Sequence, residues 1–339
     1  MSTTKDEQHK AVPTNIITGF LGVGKTSAIL HLLKTKPESE RWAILVNEFG
    51  EIGVDGALIG GQSSEDSGVF IREVPGGCMC CTAEEPMEVA LNQLLSKARP
   101  DRLLIEPTGL GHPTEVLKVL SDQEYQGELS IQKVITLVDA RQLSDIRFTE
   151  HETFIQQIAI ADVVVGNKQD LYREWDYGNL EQFVHKHGLP QVTITSTQQG
   201  AIDTAYLEGA SGAIAAEVAS HDHEHHHDHN HQGIALDLIP THTKGYVQAI
   251  NRGEGFESVG WRFTANQVFS HAKLFAVLIS LEADRVKGVF NTDEGVFGYN
   301  IAGDSINQTP LQDCPDSRIE VIANKISDEW GRQFLECVI

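Results

Sequence analysis

The stretch Thr18-Gly19-Phe20-Leu21-Gly22-Val23-Gly24-Lys25-Thr26 fits the pattern G-x-x-x-x-G-K-[ST] from Gly19 onward, and its flanks decide how it is read. Before it runs Asn15-Ile16-Ile17-Thr18, short and β-branched. After it, Ser27-Ala28-Ile29-Leu30-His31-Leu32-Leu33 places apolar residues at 28, 29, 32 and 33, one face of a helix. A strand, a glycine turn and a helix in that order predict a phosphate-binding loop. In such a loop the backbone N–H groups around Gly22, Val23 and Gly24 wrap the phosphates, Lys25 reaches the β- and γ-phosphates, and Thr26 ligates Mg²⁺.

Composition narrows what such a loop can serve. The chain has 339 residues, 40% hydrophobic and 22% charged, long enough for two globular domains. Its net charge of −22, from 26 basic and 48 acidic residues, argues against nucleic acid and against anionic membranes, both of which select clustered Lys and Arg. Residues 1–10 carry no apolar segment and no apolar run reaches membrane-spanning length, so a soluble, cytoplasmic protein is expected. Five cysteines, three of them at 78, 80 and 81, form a poor disulfide framework and a better metal site.

Outward from the loop, short apolar runs alternate with helical patterns. Residues 42–46 read as a buried parallel strand that delivers Asn47-Glu48-Phe49-Gly50-Glu51 to its carboxyl end, where open α/β sheets place ligands. Glu48 and Glu51 can face a nucleotide and its metal there, although a solvated loop explains them equally well. Residues 69–74 form the next strand and lead into Pro75-Gly76-Gly77-Cys78-Met79-Cys80-Cys81. Thiolates suit Zn²⁺, Cu(I) or Fe–S, and three sulfurs leave a fourth position for Glu, His, water or a partner. Cys314 and Cys337 read as isolated, buried thiols. Residues 86–98 predict a helix with Met87, Ala90, Leu91, Leu94 and Leu95 inward. The strand at 102–105 then carries Glu106-Pro107-Thr108-Gly109. There the glycine N–H can approach a γ-phosphate and the acid can orient Mg²⁺-bound or attacking water, which makes Lys25, Glu106 and Gly109 the candidate catalytic group. His112 reads as an exposed loop histidine sooner than a metal ligand, and Asp139, after the strand at 134–138, as a cap or structural residue sooner than an acid behind Mg²⁺.

A helix with Phe154, Ile155, Ile158 and Ala159 on its face leads to a strand at 162–166 and then to Asn167-Lys168-Gln169-Asp170. At a strand's end, N-K-x-D lets Asp170 accept from guanine's N1–H and exocyclic amine while Lys168 packs along the base and Asn167 ties the loop to the phosphate loop. Adenine offers neither donor. After a strand at 192–195, residues 209–233 change in composition, with seven imidazoles and three carboxylates between His221 and His231. This segment reads as an exposed linker able to collect metal. Beyond it lie strands at 245–252, 259–263, 285–290, 298–301 and 318–322, a helix at 266–281 with Val268, Phe269, Ala272, Phe275, Ala276 and Ile279 inward, and a final helix from about 328. They predict an α+β domain with helices on one face of a small sheet. Arg285 and Lys287 read as belonging to a half-exposed strand.

In this order the phosphate loop, the N-E-F-G-E segment, the C-x-C-C cluster, Glu106 to Gly109, the N-K-Q-D tetrapeptide and the histidine-rich linker resemble the CobW family of P-loop GTPases, and within it the YeiR-type zinc-binding branch. The resemblance implies an α/β P-loop NTPase domain over 1–208, a mostly parallel sheet with helices on both faces. It further implies a linker over 209–233 and a CobW-type C-terminal α+β domain over 234–339. It implies GTP and GDP as ligands with Mg²⁺, zinc on Cys78, Cys80 and Cys81, nucleotide sensing by Glu51, Glu106 and Gly109, and GTP hydrolysis coupled to zinc transfer into a client protein. Glu51 joins Thr26 and the three cysteines among the candidate metal residues. A zinc buffer with a nucleotide-binding fold, or a chaperone for cobalt or nickel, stands as the alternative. Whether the chain forms a homo-oligomer is left open by the sequence.

Overall fold

The computed structural model describes residues 10–46, 67–74, 84–214, 245–253, 256–302, 305–323 and 325–339. Residues 47–51, the three clustered cysteines and the histidine-rich stretch lie outside the described residues. The first sheet is parallel throughout. Its order is β3 (Val69–Glu73), β2 (Trp42–Val46), β4 (Arg102–Glu106), β1 (Val12–Gly19), β6 (Ile135–Val138), β7 (Val163–Gly166), β8 (Thr193–Ser196), with β5 (Leu129–Ile131) pairing the first half of β1. Parallel strands are covered on both faces, so every residue of β2, β4, β6 and β7 is buried. Side chains alternate between two cores: Ile17, Ile44 and Leu104 pack on one face, Ile16, Ala43, Leu45, Leu103 and Ile105 on the other. The first face is covered by α1 (Lys25–Thr35) through Ala28, Ile29, Leu32 and Leu33. The second is covered by α2 (Glu84–Ala98) through Met87, Ala90, Leu91, Leu94 and Leu95, the stripe its spacing predicts. Register aligns the carboxyl ends: Gly19 pairs Leu137, Val46 pairs Glu106 and Val138 pairs Gly166. Every motif after a strand therefore opens on the same edge.

The second sheet is antiparallel, ordered β13 (Ser305–Leu311), β12 (Gly295–Ala302), β11 (Arg285–Thr292), β14 (Arg318–Ala323), β10 (Phe256–Phe263), β9 (Tyr246–Gly253). One face carries Trp261, Val286, Phe290, Ile319 and Val321 under two helices, His271–Ser280 and Trp330–Leu335, the expected α+β arrangement. Three expectations change. Residues 266–269 are not helical, because Phe269 is held extended by bridges to Thr292 and Val338. The helix that follows from Ser270 turns Leu274 and Leu278 inward and leaves Val268 39% and Ile279 50% exposed. β13 is a further strand, polar and with Pro310 near its end, a residue that an edge strand tolerates. Finally, Arg285 and Lys287 are buried at 8% and 2% exposure. Their face is turned to the first sheet, and Ile322, which pairs Arg285, belongs to the first sheet's core.

Among the described residues no helix is long and apolar enough to cross a membrane. Cys314 and Cys337 are free and buried as expected, and burial pushes both thiols up. The inward face of the helix at 271–280 is testable by truncation: Leu278→Ala should lower the unfolding free energy by about 2–5 kcal/mol and Ile279→Ala by no more than about 0.5 kcal/mol. Denaturant titration reads both, and losses in the reverse order would reinstate the face containing Ile279.

Candidate functional site

The phosphate loop leaves β1 at Gly19 and enters α1 at Gly24, whose φ of 100° is left-handed. A Cβ on Gly24 would lie 2.5 Å from Asn167 Nδ2, so glycine is required both by the backbone and by its neighbour. Lys25, the first residue of α1, is buried and donates to the carbonyls of Gly19 at 2.9 Å and Phe20 at 3.2 Å. Thr26 Oγ1 donates to Glu106 Oε1 at 3.1 Å, joining the helix to the end of β4. Gly109 packs on the same loop, since a Cβ there would stand 3.1 Å from Lys25 Nζ. Lys25, Thr26, Glu106 and Gly109 are thus brought together at one edge of the sheet.

Electrostatics at this point are those of charges taken out of water. Burial pushes Lys25 well below the ordinary lysine range, with Arg285 and Lys287 adding to the fall and Glu106 opposing it. Burial pushes Glu106 up, opposed by Lys25, Arg285 and the Thr26 hydroxyl. Glu106 Oε2 is buried without a hydrogen-bond partner. An unpaired carboxylate oxygen beside a threonine hydroxyl is a hard oxygen donor set, and it fits Mg²⁺.

The N-K-Q-D turn is clamped to the phosphate loop by Asn167, which donates to Val23 O at 2.8 Å and accepts from Gly200 N at 3.0 Å. Lys168 adopts a left-handed φ of 61° and lies 3.4 Å from Asp139, whose carboxylate also grips Arg141 at 2.9 and 2.6 Å. Asp139 is therefore a cap and ion-pair anchor for the turn. Asp170 is exposed, on the wall of a pocket of about 630 Å³ that also takes in Gly22, Gly24, Asn167 and Lys168. One further wall of the pocket comes from the second sheet, through Asn300, Ala302, Asn307 and Thr309.

Sequence reasoning missed that wall. Lys287 Nζ donates to Thr26 Oγ1 at 3.0 Å, and Ala302 sits 2.9 Å from where a Gly22 Cβ would be. Two cations at i and i+2 in a strand, on the face opposite Val286 and Phe290, were the available signal. Gln157 was also missed: it is buried and donates to Gly109 O at 3.0 Å, fixing the loop after β4. His112 is half-buried, with Nδ1 2.9 Å from Gln156 Oε1, and not an exposed loop residue. Cys78, Cys80, Cys81 and Glu51 lie outside the described residues. Among those described, no group of three His, Cys, Asp or Glu is arranged to hold a metal.

Comparison with known proteins places these observations. Residues 13–188 match the model of the CobW/HypB/UreG nucleotide-binding domain. The chain is 40% identical over 319 residues to the zinc chaperone YeiR of Escherichia coli, covering 94% of each chain. It is 29% identical over 232 residues to the zinc chaperone CobW of a Sinorhizobium species, covering 62% of this chain and 65% of that one. The crystal structure of Zn(II)-bound YjiA GTPase from E. coli aligns over 97% of this chain and 99% of that one, at 18% identity and a TM-score of 0.42.

The Asn167 clamp predicts a stability effect. Asn167→Ala leaves a buried carbonyl and a buried N–H without partners, at about 1–3 kcal/mol each, so unfolding free energy should fall by about 2–6 kcal/mol. A fall below about 0.5 kcal/mol in urea titration would show that the clamp is not structural.

Proposed function

Because the chain belongs to the CobW/HypB/UreG family, we propose that it is a GTP-hydrolysing zinc chaperone of the cytoplasm. Zinc is its cargo, held on Cys78, Cys80 and Cys81 with Glu51 and passed to a zinc-dependent client protein. The single observation that carries the nucleotide half is the bond from Asn167 to the Val23 carbonyl, which makes the base-reading turn and the phosphate loop two ends of one pocket. The zinc half is supported by the C-x-C-C cluster together with a relative, named a zinc chaperone, that matches the chain nearly end to end. In this reading residues 1–208 are the GTPase domain, 209–233 the metal-collecting linker and 234–339 the C-terminal domain.

The roles follow from chemistry. Asp170 accepts from guanine, Lys168 lies along the base, and Gly22, Val23 and Gly24 present N–H groups to the phosphates. Lys25 neutralises the β- and γ-phosphates. Mg²⁺, held through Thr26, would supply charge neutralisation at the oxygens of the breaking bond. Glu106 and Gly109 orient the water that attacks the γ-phosphorus as the bond to the β-phosphate oxygen breaks, giving GDP and inorganic phosphate. Unassisted GTPases of this class are slow. Basal turnover should therefore be low and rise with zinc or client.

Two outcomes test the reading. Asp170→Ala removes two charge-assisted hydrogen bonds and should weaken GDP by about 10- to 100-fold while leaving ADP, already weak, unchanged. Equal loss for both nucleotides in a calorimetric titration would remove Asp170 from base recognition. Coupling between zinc and nucleotide is reciprocal, so zinc must change GTP affinity in the wild type and lose that effect in Cys80→Ser. Identical GTP affinities with and without zinc, in a protein whose turnover Lys25→Ala abolishes, would leave a GTPase that is not a chaperone. Zinc binding without turnover would leave a zinc buffer.

A further inference from the structure

The second sheet does more at the nucleotide pocket than close its wall. Lys287 is 2% exposed and sends its ammonium across to Thr26 Oγ1 at 3.0 Å, while the same hydroxyl gives its hydrogen to Glu106 Oε1 at 3.1 Å. Its position is built. Lys287 lies directly between Asn300 of β12 and Glu320 of β14, and Arg285 and Ala302, on the same face, are the next cross-strand pair. Asn300 lines the nucleotide pocket with its Oδ1 buried and without a hydrogen-bond partner, and Ala302 meets Gly22. The strand pair thus meets the phosphate loop and the start of its helix at two points, Gly22 and Thr26.

We propose that Lys287 is a nucleotide-site cation supplied in cis by the second sheet, standing at the Mg²⁺ position and competing with the metal for the Thr26 oxygen beside Glu106. The proposal rests on the nucleotide reading above. A metal ion at Thr26 Oγ1 needs one of its two lone pairs, the other of which here accepts from Lys287, and it needs the negative charge of Glu106, to which the same hydroxyl donates. An ammonium and a metal ion on one oxygen would stand side by side, and their like charges repel. When the metal is absent the ammonium, one hydrogen bond from Thr26 beside the phosphate loop, would balance part of a bound polyphosphate's charge, as Lys25 does. Loading of the metal thus drives Lys287 away from Thr26. The chain should therefore hold nucleotide with little dependence on Mg²⁺, and that independence should reside in residue 287.

The experiment measures GDP affinity of the full chain by fluorescent-analogue titration, once with Mg²⁺ and once with a chelator. Wild type should lose less than about tenfold on chelation. Lys287→Met, which keeps an unbranched side chain one atom shorter and removes its charge, should widen that ratio by about tenfold or more, and Lys287→Arg should restore it. Thermal unfolding of the three proteins separates this from interdomain glue, which would lower stability in Lys287→Met but leave the ratio alone. The proposal is overturned by equal ratios in wild type and Lys287→Met. It is also overturned, with no variant needed, by a wild-type loss of about a thousandfold on chelation. Absence of GDP and GTP binding by wild type in both conditions would overturn the nucleotide reading itself, a result distinct from equal ratios.

Discussion

A carboxylate buried at the end of a parallel strand must be neutralised, and much of this molecule is arranged around that need. Glu106 is 1% exposed, and leaving such a charge unpaired costs several kcal/mol. Lys25 reaches it electrostatically from the phosphate loop, the Thr26 hydroxyl binds it directly, and Arg285 acts on it from the second sheet. Three separate pieces of chain, from β4, α1 and β11, are held by one charge. The packing of the second sheet on the first is inseparable from this contact, since the strand that supplies Arg285 and Lys287 lies beside the strand that places Ile322 in the first sheet's core.

The first sheet was readable because its physics is local. A parallel strand covered on both faces is a short unbroken apolar run, and four of these runs fell where strands stand. Covering helices carry one stripe each, as Met87 to Leu95 do over the second face. Motif residues at strand ends are brought together by register alone, so the convergence of Lys25, Thr26, Glu106 and Asn167 on one edge could be expected from order in the chain.

What was not readable is decided by contacts distant in sequence. Arg285 and Lys287 look like exposed-strand charges, because lysine and arginine are rarely buried unless paired, and their partner was in another domain. The helix at 271–280 was drawn with the wrong face because Phe269, apolar and in phase with it, belongs to an extended segment bridged to Val338. Gln157 sits on a helix face otherwise given to Phe154 and Ile158, and only the Gly109 carbonyl explains a buried amide there. In each case local spacing was intact and the deciding neighbour lay elsewhere.

Thr26 and Lys287 are separated by 261 positions, and the hydrogen bond between them closes a loop through the histidine-rich stretch. The entropy of closing a loop rises only with the logarithm of its length, about 0.6 kcal/mol for each doubling. By that scaling a contact spanning 261 positions costs only about 0.6 kcal/mol more to close than one spanning half that distance. The distance in sequence that hides Lys287 from local reading is thus no obstacle to its holding Thr26.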